Sequence, residues 1–137
     1  MIDQDLQNAY EKAVYSISKP PISWKVGNKS PELDELLRSY DVTVATFITA
    51  YNPKSMQLAK KENQVRNAEL ANVLNQAGYT YINGQGEDPE GVWLAEASYL
   101  VLGMGIKEAL PLGRRFVQNA VLIIAMGKPV RLLLCSN

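Results

Sequence analysis

"VTVATFITAYNPKSMQLAKKENQVRNAELANVLNQAG" (residues 42–78) decides the fold. Its first ten residues, 42–51, are rich in β-branched and aromatic types and predict a strand. Asn52-Pro53 stops that strand. From residue 52 to about residue 77 the spacing predicts one long helix. Asn52 is its expected cap with Pro53 behind it, and Gly78 its C-terminal stop. A helix turns about 100° per residue. On that wheel Met56, Ala59, Leu70, Val73, Leu74 and Ala77 form one apolar stripe, as a core-facing helix requires. Asn63, Arg66 and Asn67 fall in or beside the same stripe. Buried without partners, such groups cost roughly 1–3 kcal/mol each, and the charge more. Either neighbouring carbonyls and a carboxylate satisfy them internally, or that end of the helix borders a cleft open to a ligand. A helix N-terminus favours an anion there.

Reading outward towards the N-terminus, Leu6, Ala9, Tyr10, Ala13, Val14 and Ile17 recur by threes and fours and predict a helix over residues 3–16. Lys19-Pro20-Pro21 ends it, because proline disfavours helical geometry at the preceding residue. "ISWKVGNK" (residues 22–29) looks extended. Ser30 then caps a second short helix with Pro31 at its first position and Leu33, Leu36 and Leu37 as its stripe. Residues 1–40 therefore read as an N-terminal helical extension packed on a core of residues 41–137.

Towards the C-terminus, residues 79–82 predict a strand and "NGQGEDPEG" (residues 83–91) a loop by composition. Residues 92–102 predict another strand. Residues 103–116 predict a short helix interrupted near Pro111. Residues 120–126 and 130–135 are apolar runs around Gly127-Lys128-Pro129, which predicts a hairpin. The order strand, helix, two strands, helix, two strands points to an α+β fold. The expected architecture is a largely antiparallel sheet with helices on one face, a ferredoxin-like split βαβ unit with an extra C-terminal strand.

The strand over 92–102 carries a second anomaly. One face holds Trp93, Ala95, Ala97, Tyr99 and Val101, and the other Leu94, Glu96, Ser98, Leu100 and Leu102. Neither face is polar, so the strand should be central. Glu96 then lies among leucines and must be paired or have its pKa raised. Arg66 is the expected partner, with Arg114 or Arg115 as alternatives. Glu96 is also the candidate catalytic acid or base. A third cluster, "PLGRRFVQNAV" (residues 111–121), sets two arginines beside Gly113 that could clamp a phosphate or carboxylate.

Composition excludes several functions. The 14 basic and 14 acidic residues cancel, which argues against a nucleic-acid partner or an anionic membrane. With His 0 and Cys 1, the usual general base, histidine metal sites and an internal disulfide are all excluded. One cysteine suits a reducing, cytoplasmic setting. No apolar run is long enough to span a bilayer. Glu87, Asp88 and Glu90 could hold a hard cation, but acidic loops are common, and no metal or cofactor is expected. The two glycines of that loop lack the phosphate-loop lysine and the dinucleotide spacing.

"FITAYNPKS", "ENQVRNAEL", "GYTYINGQGEDPEGVWLAEASYLVLG" and "LGRRFVQNAVL" together resemble the bacterial family called domain of unknown function 3293. The resemblance spans residues 42–134 in order and leaves out the first 40. It implies a polar signature at Asn52, Pro53, Ser55, Asn63, Arg66, Asn67, Gly86, Trp93, Glu96, Ser98, Gly103, Gln118 and Asn119. It implies no activity.

Two functions are expected from these residues. The first is a site for a small anionic or nucleotide-like ligand. Arg66 and Arg115 would supply charge, and Asn52, Asn63 and Asn67 amide contacts. Trp93 would stack, and Glu96 would orient the ligand or move a proton, with Ser55, Ser98 and Gln118 completing the site. The second is a non-catalytic protein-interaction or regulatory module in which the polar cluster is a structural network. A homodimer is compatible with either.

Overall fold

The computed structural model describes residues 4–135. Its order is α1 (Gln4–Lys12), β1 (Val14–Ser18), β2 (Pro21–Trp24), α2 (Pro31–Ser39), β3 (Val44–Ile48), α3 (Lys60–Gln76), β4 (Thr80–Glu87), β5 (Glu96–Leu102), α4 (Ile106–Arg115), β6 (Ala120–Ala125) and β7 (Arg131–Leu134). The strands form one seven-stranded sheet in the order β2-β1-β4-β5-β3-β6-β7. Every neighbouring pair is antiparallel. The α+β class and the antiparallel sheet are as the sequence predicts.

β3 and β5 lie in the middle and are covered on both sides. On β3, Ala45 and Phe47 point to one apolar cluster and Ile48 to the other, as the period of two dictates. Thr46 shares the second face, and its hydroxyl donates to the Met104 carbonyl at 2.9 Å. α3 and α4 cover that face with Leu70, Leu74, Ala109 and Leu112. α2 covers the opposite face with Leu33, Leu36 and Leu37. The expectation of helices on one face is thus corrected. Strands apolar on both sides need cover on both sides.

Several expected elements start or end elsewhere. The first helix stops at Lys12, and Val14–Ser18 is a strand. Asp3, its expected start, lies outside the described residues. Tyr15 and Ile17 alternate inward, and pairing of β1 with β4 overrides the helical spacing. The segment 1–40 is therefore not purely helical: β1 and β2 extend the sheet. Tyr15 and Trp24 meet Phe47 edge-on at 5.7 and 5.0 Å.

The expected loop over 83–91 is strand as far as Glu87. Its glycines answer to a neighbour rather than to a turn. A Cβ on Gly84 would lie 2.5 Å from the Ser16 carbonyl oxygen, and one on Gly86 3.1 Å from the Tyr15 ring. α4 continues through Pro111 without a break.

Other local signals hold. The Ser30 hydroxyl accepts from the Leu33 N–H at 3.2 Å, with Pro31 beginning α2. Gly78, at φ +81°, ends α3; its N–H donates to the Asn75 carbonyl and that of Tyr79 to the Leu74 carbonyl, both at 3.1 Å. This is the Schellman pattern. β6 and β7 form the expected hairpin. Among the described residues no helix is long and apolar enough to cross a membrane.

Candidate functional site

The long helix does not begin at Pro53. A short 3-10 turn, Pro53–Ser55, is followed by extended chain, and α3 starts at Lys60. Asn52, Lys54 and Ser55 have φ of 47°, 52° and 61°. Left-handed geometry at non-glycine residues costs of order 1–3 kcal/mol each and persists only where the surroundings impose it.

Asn63 of α3 holds Asn52, while the Val117 carbonyl accepts from the Lys54 N–H at 2.7 Å and Asn119 holds Ser55. Asn63 Oδ1 accepts from the Asn52 backbone N–H at 2.9 Å, and its Nδ2 donates to Asn52 Oδ1 at 2.8 Å. Asn52 Oδ1 also accepts from the Leu58 N–H at 3.0 Å. Asn67 Oδ1 accepts from the Ala50 N–H at 2.8 Å, and its Nδ2 donates to the Ala97 carbonyl at 2.9 Å, tying β3's exit to the start of β5. Arg66 donates through Nε to the Ala50 carbonyl at 2.7 Å and through Nη2 to the Phe116 carbonyl. Gln118 Nε2 donates to the Tyr51 carbonyl at 3.0 Å, and Asn119 Nδ2 to the Ser55 hydroxyl at 2.9 Å. Asn63, Asn67, Gln118 and Asn119 are all buried. The amides and the guanidinium thus grip one stretch of chain, residues 50–58.

What this grip presents is the Asn52 side chain. Its Nδ2 donates to Glu96 Oε2 at 2.7 Å. The expected Arg66–Glu96 pair is therefore corrected: Arg66 is spent on carbonyl oxygens and Asn52 holds the carboxylate. Burial pushes the Glu96 carboxyl above its ordinary 4.5, and the Asn52 bond pulls the other way more weakly. The Tyr10 phenol is pushed up to about 12, by burial first, with the nearby Ser55 side chain pulling the other way and the Glu96 charge among the smaller causes. Tyr15 is raised as well, chiefly by burial, and its hydroxyl donates to the Tyr10 carbonyl at 3.1 Å.

Glu96, Asn52, Ser55, Ser98 and Gln118 line one end of a cavity of about 260 Å³. Phe47, Leu122 and Leu132 from the sheet form its apolar floor. Leu6, Ala9 and Tyr10 of α1 face it from one side, and Trp93 and Leu94 from another. Six of the residues expected at a site, Asn52, Ser55, Trp93, Glu96, Ser98 and Gln118, are thus brought together. Asn63 and Asn67 stand behind them, bonded to backbone. Arg66 and Arg115 border a different, shallower groove beside Phe116, where the Arg115 guanidinium lies 5.9 Å from the ring. Arg114 donates to the Cys135 carbonyl at 2.6 Å.

Sequence reasoning missed Tyr10, Tyr15, Thr49 and Gln57 on the cavity wall. The spacing of Tyr10 marked it only as helix core. Asp88 is occupied too: its carboxylate accepts from the Glu90 and Val92 N–H groups at 2.9 and 2.8 Å. Among the described residues no group of three acidic, cysteine or histidine side chains could hold a metal ion.

Residues 48–121 match the family model described as "Protein of unknown function (DUF3293)". The chain belongs to this family. No curated protein and no solved structure matches it. The DUF3293 match lies inside the resemblance read over residues 42–134 and contains every position of the expected signature. It also divides the cavity. The polar end comes from the DUF3293 segment, whereas Leu6, Ala9, Tyr10 and Tyr15 come from residues before it.

Proposed function

We propose that the protein binds a small molecule in the cavity between α1 and the sheet, with Glu96 and Asn52 recognising its polar end. One observation carries this reading. Glu96 lines the cavity; its Oε2 is held by Asn52, and its Oε1 has no hydrogen-bond partner among the described residues. A half-buried carboxylate with a spare acceptor, beside apolar and aromatic walls, is the usual composition of a small-ligand site. The cavity falls just below the roughly 300–1,000 Å³ common for such sites, so the ligand is compact.

The anionic or nucleotide-like class expected from the sequence rested on Arg66 and Arg115. With both directed elsewhere, the charge that remains in the cavity repels an anion. The order β4-β5-β3-β6, with helices after β3 and after β5, supports reading the sheet's centre as a ferredoxin-like split βαβ unit with β7 added. The lone, buried Cys135 supports a reducing, cytoplasmic setting.

The test is a thermal-shift screen of uncharged, cationic and anionic metabolites, run beside Ala9→Trp. That substitution fills the cavity from α1, an element with no buried residue. Binding compounds raise the wild-type melting temperature, and Ala9→Trp removes the effect. Failure of every compound to shift the wild type defeats the reading. It would then favour the second reading, an interaction module. That reading draws its support from how fully Asn63, Asn67 and Arg66 are spent on the chain's own backbone.

A further inference from the structure

The binding reading leaves the ligand's chemistry open, and the charges on the cavity wall narrow it. Among the described residues that line the cavity, Glu96 alone carries a formal charge; no lysine or arginine does. A carboxylate withdrawn from water without a cation beside it is costly, and a positive ligand offsets that cost directly. An anion would meet the same carboxylate with repulsion.

The aromatic residues point the same way. Tyr10, Tyr15, Phe47 and Trp93 all border the cavity. Ring faces carry negative charge density and attract cations, most strongly where water is excluded. The Tyr10 phenol, held high by burial, stays neutral at physiological pH and adds no competing charge. Asn52 occupies Oε2, and Oε1 is left as the acceptor for an incoming donor.

Resting on the binding reading above, we propose that the ligand is a small organic cation, a protonated primary or secondary amine on a compact apolar body, with Glu96 as its counter-ion. The ammonium donates to Glu96 Oε1, and the apolar body lies against Phe47, Leu122 and Trp93. A quaternary ammonium would keep the ring contacts but could not donate to Oε1.

The experiment is calorimetric titration of the full chain with matched probes. Phenethylamine, 2-phenylethanol and phenylacetate share one body and differ in charge. Cyclohexylmethylamine, cyclohexylmethanol and cyclohexanecarboxylate repeat the series with a saturated ring. The expected result is that each amine binds at least about tenfold more tightly than its alcohol, about 1.4 kcal/mol, and that the acids do not bind. Glu96→Gln keeps the shape and removes the charge, and should bring the amine down to the level of the alcohol. Trp93→Leu, on the loop rather than in the sheet, gives a second readout: it should weaken the amine more than the alcohol. Alcohols or acids binding as well as amines would overturn the cation and leave the binding site standing. Amine binding unchanged in both variants would overturn it too. If no probe bound and the broad screen were also blank, the binding reading itself would fall.

Discussion

Replacing Asn67 by leucine tests whether the buried amides of α3 hold the chain in the way described. Asn67 makes two side-chain bonds, accepting from the Ala50 N–H and donating to the Ala97 carbonyl. The losses are unequal. The Ala97 carbonyl keeps a second donor, the Thr49 hydroxyl at 2.7 Å. The Ala50 N–H has no such substitute, and Ala50 is 0% exposed. A buried donor left unpaired costs about 1–3 kcal/mol. Unfolding entropy of about 2.1 cal/mol/K per residue gives a chain of this length roughly 0.29 kcal/mol/K, so each kcal/mol moves the midpoint by about 3.5 °C. Asn67→Leu should therefore lower the melting temperature by about 3–10 °C, read by circular dichroism or calorimetry. A control, Val65→Leu, changes an exposed apolar residue of the same helix and should leave it nearly unmoved. If Asn67→Leu shifted the midpoint no more than this control, the orphaned-donor argument would be refuted, and with it the energetic account of the clamp.

Arg66→Met should lower the melting temperature by several degrees, because the Ala50 carbonyl loses its guanidinium donor, while amine affinity stays close to wild type; a selective loss of binding would put Arg66 back in the site. Glu96→Gln should stabilise the unliganded protein at pH 7. Burial raises this carboxyl in the folded state, so folding is hindered by its charge as pH rises past the ordinary 4.5, and below that value the variant and wild type should converge. The groups facing it, Tyr10 and Tyr15, stay neutral over this range, and a pH-independent difference between the two proteins would contradict the sign. Gly84→Ala drives a methyl against the Ser16 carbonyl and should cost about 1–3 kcal/mol by overpacking, seen as a lower denaturation midpoint; a neutral result would mean that β1 can move away from β4.

The sequence made local features legible and hid those set at a distance. The Ser30-Pro31 start of α2, the Gly78 stop of α3 and the β6–β7 hairpin depend on neighbours in the chain, and each was readable. β1 was not, because Val14 and Ile17 satisfy a helical spacing and only pairing with β4 decides against it. Gly84 and Gly86 signalled a loop by composition, whereas their use is to admit β1's backbone and the Tyr15 ring. The wheel correctly set Asn63 and Asn67 on the buried face with Leu70 and Leu74. It could not show that Asn52 is left-handed, so the helix was started seven residues early, with its cap expected at Asn52 where the structure has Ala59. Glu96 was rightly singled out among apolar neighbours. Its partner was misassigned because formal charge favours arginine, and nothing in the sequence shows that Arg66 will reach carbonyl oxygens instead. The lack of a polar face over 92–102 was the available sign that both sides of the sheet are covered.

The clamp around residues 50–58 also has a consequence for how this family can vary. Most of its bonds have a side chain at one end and main chain at the other: Asn67 with Ala50 and Ala97, Arg66 with Ala50 and Phe116, Gln118 with Tyr51. A main-chain partner is the same whatever residue supplies it. As far as these bonds go, relatives should be free to drift at 51 and 97 while 66, 67 and 118 stand still, and no paired substitutions will betray the contact; at 50 and 116 the packing of the core, not the bond, restricts the side chain. Compensating changes can arise only where both ends are side chains, at 52 with 63, 52 with 96, and 55 with 119.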